Sequence, residues 1–344
     1  MSQIRAVMYG VGAMNSITTR MLLEKGVDVV GAIARSPSKV GHDLGEVVGL
    51  GRQLGVVVSD DPAEVFSRTT PDVAVIAVNS YLADAVEQLR ICADHAVNAV
   101  TLSEEMLFPW NTSPELAAEL DQAAKRSGIT LTGTGFQDTF WVNMIALLMG
   151  TAHRIDTVYG RASWNVDEFG PELARDQNVG RTRAQFDEWL RDADRPPTFG
   201  RNVLDALIAD SGLTPTSIST TTRPDTADTA LFSEALQIEL AAGTVIGMTD
   251  VDEIRTAEGL SFRFEMSGRV YGSGEGDINE WEITGEPHLV LSNGTVPTQL
   301  TTCTQLVNRI PDVIAAPPGL VTVDQLPRLR YRAFPLHTYL PDGL

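Results

Sequence analysis

Short apolar runs alternate with segments of helical periodicity over the first 140 residues. The apolar runs lie at 4–9, 27–33, 56–58, 73–78, 99–102 and 129–131. Runs of this length without polar alternation are typical of parallel strands that are covered on both faces. Helical patterns lie between them at 61–67, 82–93 and 114–127. We therefore predict an α/β domain with a doubly wound parallel sheet over residues 1–140.

The pattern changes at residue 141. Residues 141–152 have an apolar helical pattern, 155–163 a strand pattern, and 228–292 favours strands, with strict alternation at 262–266. Such alternation is typical of an antiparallel sheet with one buried face. We predict an α+β second domain with a largely antiparallel sheet over 141–298. A C-terminal helix and tail over 299–344 are predicted to return to the first domain.

A glycine-containing segment, Gly10-Val11-Gly12-Ala13-Met14-Asn15, follows the first strand directly and opens a helix. The first glycine permits a tight turn, and the second lets the backbone approach a pyrophosphate at the helix N-terminus. Asn15 occupies the place of the third fingerprint glycine. A tight turn alone is the alternative, but the position inside a βαβ unit favours a Rossmann-type dinucleotide site. Four residues are predicted to contact the cofactor: Gly10, Gly12, Ala13 and Met14.

The second strand ends in Ala34-Arg35-Ser36-Pro37-Ser38-Lys39. It lacks the carboxylate that usually holds the ribose hydroxyls in NAD-preferring sites. Arg35 can bind a 2′-phosphate bidentately, Ser36 can donate a hydrogen bond and Lys39 adds a positive charge. The alternative is a solvated basic loop. We predict NADP as the preferred cofactor and NAD as the second choice.

Two carboxylates, Glu104 and Glu105, follow the apolar strand at 99–102 and precede Met106, Leu107 and Phe108. Ligands bind at the carboxyl ends of strands in sheets of this type. A carboxylate among apolar side chains loses hydration, which is how proteins make a general base that works near neutral pH. The alternative is that both glutamates only begin a helix, where the dipole favours them.

The 344-residue chain carries a net charge of −19. Nucleic acid and anionic membranes would be repelled by it, so neither is expected as a partner. Cys92 and Cys303 are far apart in sequence and match no metal spacing. They indicate a reduced, cytoplasmic protein without a metal site. The first residues show no apolar signal segment, and no apolar run is long enough to span a bilayer.

Four stretches carry a resemblance to a known family: VGHDLGE at 40–46, SEEMLFP at 103–109, GTGFQDTF at 133–140 and NRIPDVIAAPPG at 308–319. They resemble the 2,4-diaminopentanoate dehydrogenase-like proteins, which include the native amine dehydrogenases and have a dihydrodipicolinate reductase-like N-terminal domain. The chain departs from the family pattern at Gln137-Asp138-Thr139, where family members carry Asn-Pro-Gly.

The resemblance implies an NAD(P)H-dependent amine dehydrogenase. Such an enzyme aminates a small ketone or aldehyde with ammonia and runs backward as an oxidative deamination. Glu104 aligns with the family glutamate and is the expected general acid/base, with Glu105 as the fallback. Two other functions stay open. One is an imine or carbonyl reductase of the dihydrodipicolinate reductase-like type that does not use free ammonia, and the other is a non-catalytic NADP-binding sensor.

Further site residues follow from these expectations. Asn79, Ser80 and Asn308 are predicted to approach the cofactor, while the second domain is expected to bind substrate and to form a homodimer. The dimer is expected because the alternating strands over 258–292 offer a sheet face larger than one helix can cover. The candidate pocket walls are aromatic, and the alternative for each of these side chains is an ordinary core position: Phe136, Phe140, Trp141 and Trp164.

Overall fold

The computed structural model describes residues 3–191, 196–294 and 296–341. It divides into two compact units. The first unit comprises Met1–Thr139 and Leu300–Leu344, and the second comprises Phe140–Gln299. In the described parts of the chain, none of the helices is long and apolar enough to cross a membrane.

The strands, in chain order, are β1 (Arg5–Tyr9), β2 (Asp28–Ile33), β3 (Val58–Ser59), β4 (Val73–Ile76), β5 (Asn98–Thr101), β6 (Thr130–Gly133), β7 (Arg154–Asn165), β8 (Pro215–Thr226), β9 (Leu231–Ser233), β10 (Ile238–Leu240), β11 (Val245–Thr256), β12 (Ser261–Arg269), β13 (Ile278–Glu286), β14 (Leu289–Asn293) and β15 (Gly319–Leu320).

The α-helices are α1 (Ala13–Glu24), α2 (Leu44–Val47), α3 (Pro62–Thr69), α4 (Leu82–Asp94), α5 (Pro114–Ser127), α6 (Met144–Met149), α7 (Pro171–Asp176), α8 (Arg183–Trp189), α9 (Phe199–Asp210) and α10 (Thr298–Ala315). Short 3₁₀ turns lie at Glu104–Leu107, Val166–Glu168 and Leu336–Tyr339, and a π-helical turn lies at Asp138–Asn143.

The first unit is built on a parallel sheet with strand order β15-β6-β5-β4-β1-β2-β3. All four residues of β4 are buried, because helices cover both faces of the sheet and the apolar runs need no polar alternation. One face packs with α4 and α5, and the other packs with α1 and α10. The order changes direction between β1 and β4, which is where doubly wound sheets bind ligands. The predicted Rossmann-type sheet is confirmed.

The second unit is built on a six-stranded sheet with order β14-β13-β7-β12-β11-β8. Only the β7–β12 pair is parallel among the pairs of this sheet. Helix α9 covers one face, where a Cβ added at Gly200 would lie 2.5 Å from Asp252 Oδ2 and 3.3 Å from Phe264. The predicted α+β unit with a largely antiparallel sheet is therefore confirmed.

The opposite face of this six-stranded sheet is polar and carries cross-strand ion pairs. Arg161 on β7 contacts Glu280 on β13 at 2.5 Å, and Glu265 on β12 contacts Arg263 at 2.6 Å and Arg223 at 3.2 Å. We call this surface the polar sheet face. Tyr159 of β7 lies on it, two residues before Arg161, because side chains two apart in a strand share a face.

Two elements differ from the sequence expectations. Strand β8 (Pro215–Thr226) was not predicted, since its Thr- and Ser-rich sequence lacks alternation and almost every residue is exposed at the sheet edge. The apolar helix predicted over 141–152 is shorter. The segment begins as the π-helical turn Asp138–Asn143 and continues as α6, which ends at Met149.

Candidate active site and cofactor site

The glycine turn joins β1 to α1 at the carboxyl edge of the parallel sheet. Gly10 has φ +84°, and an added Cβ would lie 2.4 Å from Val78 Cγ1 and 2.5 Å from the Ala77 carbonyl oxygen. Only glycine fits this position, since both the backbone conformation and the space exclude a side chain. The turn therefore lies directly against the segment that follows β4.

Gly12 is the N-cap residue of α1, and a Cβ added there would meet no protein atom within 4 Å. Both Gly12 and Ala13 are exposed, and Met14 is half-buried. The helix N-terminus thus presents backbone N–H groups to open space, which is the arrangement that binds a pyrophosphate. These residues fit a dinucleotide cofactor, for which Gly12 leaves room.

Asn15 replaces the third fingerprint glycine and is completely buried. Its Nδ2 donates to three backbone carbonyl oxygens: Gly10 at 2.7 Å, Val75 at 3.1 Å and Tyr9 at 3.3 Å. The amide therefore connects the glycine turn to β1 and β4. Sequence reasoning recorded only a missing glycine, because the partners of a buried amide cannot be read from the motif.

The basic segment after β2 is divided between two locations. Lys39 Nζ donates to the Val11 carbonyl oxygen at 2.6 Å, so its ammonium lies at the glycine turn. The Arg35 side chain is exposed beyond the end of β2, and Ser36 Oγ lies 2.8 Å from Ser38 Oγ. Positive charge is thus available both beside the helix N-terminus and at the strand end where a ribose binds.

The stretch 40–46 runs into helix α2, and the Asp43 carboxylate caps this helix. Its oxygens accept from the backbone N–H groups of Gly45 at 2.8 Å, Leu54 at 2.9 Å and Gly55 at 2.8 Å. The Leu54 N–H is the main reason that the pKa of Asp43 is held below its usual range. Asp43 therefore orders the loop that follows the basic segment.

The segments after β4 and β5 are joined by hydrogen bonds at the carboxyl edge of the parallel sheet. Ser103 Oγ donates to the Asn79 carbonyl oxygen at 2.7 Å, and Glu105 N donates to the Ser80 carbonyl oxygen at 3.1 Å. Asn79 Nδ2 donates to the Asp84 carbonyl oxygen at 2.8 Å. The side chains of Asn79 and Ser80 are half-buried next to the turn that contains Gly10.

Glu105 is almost completely buried, and its carboxylate has a defined structural function. Oε2 accepts from the backbone N–H of Leu82, the first residue of α4, at 2.7 Å. Oε1 accepts from Thr112 Oγ1 at 2.8 Å and from Ser113 Oγ at 2.6 Å. Three donors thus bind the two oxygens, so Glu105 caps α4 and connects it to the segment before α5.

Glu104 begins the 3₁₀ turn Glu104–Leu107 that follows β5, and its side chain is half-buried. We call this turn the Glu104 turn. It packs against the end of β6, since a Cβ added at Gly133 would lie 2.4 Å from the Met106 carbonyl carbon. The carboxylate position therefore depends on the backbone of both neighbouring segments.

Asn308 lies on α10 in the first unit and is 8% exposed. The same helix contacts the segment after β6, because Gln305 Oε1 accepts from the Thr139 backbone N–H at 3.0 Å. Arg309, the next residue, is fully buried and forms an ion pair with Asp138 at 2.6 Å. Sequence reasoning missed this pair. The available signal was an arginine among the buried positions Leu306, Ile310 and Val313 of one helix.

The aromatic candidates occupy two places. Phe136 lies in the first unit, after β6, and is 5% exposed. Trp141 and Trp164 lie in the second unit, with ring centroids 6.4 Å apart, and Trp141 also contacts the Phe264 ring at 5.1 Å. Phe140 begins the second unit and is half-buried. Trp141 and Trp164 thus belong to the buried aromatic core of their unit.

Comparisons with known proteins agree with this fold. The profile of the 2,4-diaminopentanoate dehydrogenase C-terminal domain matches residues 140–333, and that of the dihydrodipicolinate reductase N-terminus matches residues 4–104. The 2,4-diaminopentanoate dehydrogenase of Acetoanaerobium sticklandii is 25% identical over 338 residues, which are 95% of this chain and 94% of that protein.

Solved structures extend the comparison. The amine dehydrogenase from Mycobacterium smegmatis is 77% identical, with a TM-score of 0.95 over 97% of this chain and 98% of that chain. A scyllo-inositol dehydrogenase from Lactobacillus casei, solved with NAD(H) and scyllo-inositol, is 14% identical. Its TM-score is 0.55 over 86% of this chain and 77% of that chain, so the likeness shows the fold alone.

Together, the sheet, the glycine turn and these matches define a Rossmann-type dehydrogenase. The chain belongs to the 2,4-diaminopentanoate dehydrogenase family. Its named relatives are oxidoreductases that act on CH–NH₂ donors, which confirms the enzyme class predicted from the sequence.

Proposed function

We propose that this chain is an NAD(P)H-dependent amine dehydrogenase that aminates a small ketone or aldehyde with ammonia. In reverse, it oxidises the corresponding amine. The observation that carries the proposal is the 77% identity, over 97% of the chain, to the amine dehydrogenase from Mycobacterium smegmatis. Open space at Gly12 for a cofactor and a half-buried carboxylate at Glu104, both at the carboxyl edge of one sheet, support it.

Glu104 is the proposed general acid/base. Its carboxylate takes a proton from ammonium, so that neutral ammonia adds to the carbonyl carbon and forms a carbinolamine. The same proton returns to the hydroxyl group, which leaves as water and gives an iminium cation. The carboxylate then stabilises that cation electrostatically. NAD(P)H, when bound, supplies the hydride that reduces the iminium carbon to the amine.

Glu105 is not assigned this function. Its two oxygens already accept from Leu82, Thr112 and Ser113, and proton transfer would weaken the bonds that cap α4. A carboxylate that already accepts three hydrogen bonds within the protein also has less capacity to accept one from a substrate. The two adjacent glutamates therefore divide into a proposed catalytic residue, Glu104, and a structural residue, Glu105.

NADP is the proposed preferred cofactor, because the exposed Arg35 and the neighbouring hydroxyl of Ser36 suit a 2′-phosphate. Lys39 is assigned differently. Its bond to the Val11 carbonyl oxygen places the ammonium at the glycine turn, where the pyrophosphate common to NAD and NADP binds.

We also propose a homodimer that forms through the polar sheet face of the second unit. Its strands carry long rows of charged and hydroxyl side chains, including Tyr159, Arg161 and Arg263, which are exposed or half-buried in one chain. Two copies of such a face can pair around a two-fold axis, because a two-fold interface uses the same patch on both subunits.

The first test is a panel of small ketones and aldehydes with NADPH or NADH, with and without ammonium. We expect cofactor oxidation that requires ammonium, and an amine product identified by mass spectrometry. Carbonyl-dependent oxidation of NADPH without ammonium would instead indicate a carbonyl reductase. Tight NADPH binding without turnover on the whole panel would indicate a sensor.

The second test compares Glu104→Gln with Glu105→Gln. Glu104→Gln keeps the side-chain shape but loses the proton acceptor, so amination turnover should fall at least ~100-fold while NADPH still binds. Glu105→Gln should mainly lower the melting temperature, since it disturbs the cap of α4. Loss of turnover in Glu105→Gln, with normal turnover in Glu104→Gln, would reverse the assignment.

A further inference from the structure

A buried ion pair in the first unit connects α10 to the segment after β6. Arg309 and Asp138 are both 0% exposed. Arg309 Nε donates to Asp138 Oδ2 at 2.9 Å and Nη2 donates to Oδ1 at 2.6 Å, which is bidentate geometry. Thr134 Oγ1 adds a bond to Asp138 Oδ2 at 2.8 Å. The carboxylate thus fixes the turn at 134–138 to α10.

Arg309 also holds a second segment, because its Nη1 donates to the Pro327 carbonyl oxygen. This segment, residues 322–327, is bonded to the neighbourhood of the Glu104 turn. Val323 N donates to the Leu107 carbonyl oxygen at 3.4 Å, and Trp110 Nε1 donates to Thr322 Oγ1 at 3.1 Å. Leu107 is the last residue of the Glu104 turn.

The end of β6, which directly precedes the turn at 134–138, contacts the Glu104 turn from another direction. Thr134 N donates to the Thr101 carbonyl oxygen at 3.0 Å, at the end of β5. Gly133 lies so close to Met106 that no side chain fits between them. One guanidinium therefore holds residues 322–327, which bond to the Glu104 turn, and the turn at 134–138, which directly follows the contact at Gly133. Asp138, which supplies the carboxylate, lies in the segment 137–139, where this chain departs from the family pattern.

We propose that Arg309 is a positioning residue, which fixes the Glu104 turn through Asp138 and Pro327 and so orients the Glu104 carboxylate for proton transfer. The inference rests on the proposed role of Glu104. A buried, bidentate ion pair holds one geometry, and a displacement of about 1 Å at a reacting group can lower turnover by about 100-fold. Lysine at position 309 keeps the charge but not the bidentate geometry.

The test is Arg309→Lys, measured by amination kcat, carbonyl KM and NADPH Kd at saturating ammonium. We expect kcat to fall by at least ~10-fold, with KM and the NADPH Kd changed less than about 3-fold, because the glycine turn is formed by other contacts. The matched control is Arg90→Lys. Arg90 also binds a carboxylate bidentately, since its Nε and Nη2 donate to Glu119 at 2.7 and 2.9 Å, and this pair connects α4 to α5. The control should keep its kcat.

Double variants separate this inference from the proposed function. In a Glu104→Gln background, Arg309→Lys should cause no further loss, since residues that act through one group are non-additive. Normal turnover in Glu104→Gln would refute the proposed base. A normal kcat in Arg309→Lys, or an equal loss in Arg90→Lys, with Glu104→Gln inactive, would refute the positioning role alone.

A milder variant covers the case in which Arg309→Lys does not fold. Thr134→Val keeps the ion pair and removes one bond to Asp138. It should lower kcat in the same direction by a smaller factor, with NADPH binding retained. An unchanged kcat in that variant would contradict the inference.

Discussion

The two cations after β2 differ in their surroundings. Lys39 bonds to the backbone of the turn, whereas Arg35 is exposed at the end of the strand. Their contributions to cofactor binding should therefore differ in kind. Lys39 is expected to act on the pyrophosphate that NAD and NADP share. Arg35 is expected to act on the 2′-phosphate that only NADP carries.

Cofactor titrations can measure this difference. Arg35→Asp should weaken NADPH binding at least ~10-fold and leave NADH binding nearly unchanged, since it removes a charge-assisted phosphate contact. Lys39→Met should weaken both cofactors by a similar factor, because it removes a contact at the shared turn. Fluorescence titration gives both dissociation constants. Tighter binding of NADH than of NADPH by the unaltered protein would refute the assignment of Arg35.

The Asp43 carboxylate predicts a pH dependence of stability. Its pKa is lowered mainly by the Leu54 N–H, so the folded state favours the charged form. Its contribution is therefore fully present above the unfolded pKa of about 4 and is lost as the pH falls through the lower folded pKa. Asp43→Asn should melt below the unaltered protein at pH 7, and the difference should shrink below about pH 4. A melting difference that stays constant down to pH 3 would contradict this prediction.

At the scale of elements, Asn15 shows how one side chain can join a turn to two strands. Asn15→Gly would restore the glycine fingerprint but remove three bonds to Tyr9, Gly10 and Val75. With about 1 kcal/mol for each hydrogen bond, we expect the free energy of unfolding to fall by roughly 2–3 kcal/mol. Urea denaturation measures this change. An equally stable Asn15→Gly protein would mean that the turn is held by its glycine conformation alone.

Most elements of the first unit were predictable because burial on both faces leaves a simple pattern. Helix α4 was expected at 82–93 and occupies Leu82–Asp94, and the strand expected at 73–78 occupies Val73–Ile76. Strand β8 escaped prediction because an exposed edge strand needs no apolar alternation. Its hydrogen bonds to β11 are long-range and leave no local signal.

The sequence predicted which segments form the site, but it did not predict which side chains pair with each other there. The sequence placed two glutamates at a strand end, but their different surroundings depend on residues that fold against them. Glu105 meets Leu82 from 23 residues earlier in the chain. Arg309 meets Asp138 across 171 residues. Pairings at such separations are decided by tertiary packing, which local pattern does not encode.

For the whole molecule, the polar sheet face predicts the oligomeric state. Light scattering at micromolar concentration should give about 74 kDa, twice the 37.2 kDa of one chain. Tyr159→Glu adds a charge at the middle of that face and should shift the mass toward the monomer, because two like charges would meet across the two-fold axis. Arg183→Glu, on exposed α8, is the control and should stay dimeric. A monomeric mass for the unaltered protein would remove the proposed dimer.

Strand β15 is only two residues long, and it pairs Gly319 and Leu320 with β6, nearly two hundred residues earlier. The parallel sheet therefore keeps an open edge at β6 until residues 319 and 320 have left the ribosome. During synthesis, that edge is available for pairing with other chains, as unpaired strand edges are. A chain that stops before residue 319 would carry the open edge permanently, and the long separation predicts slow closure of this unit.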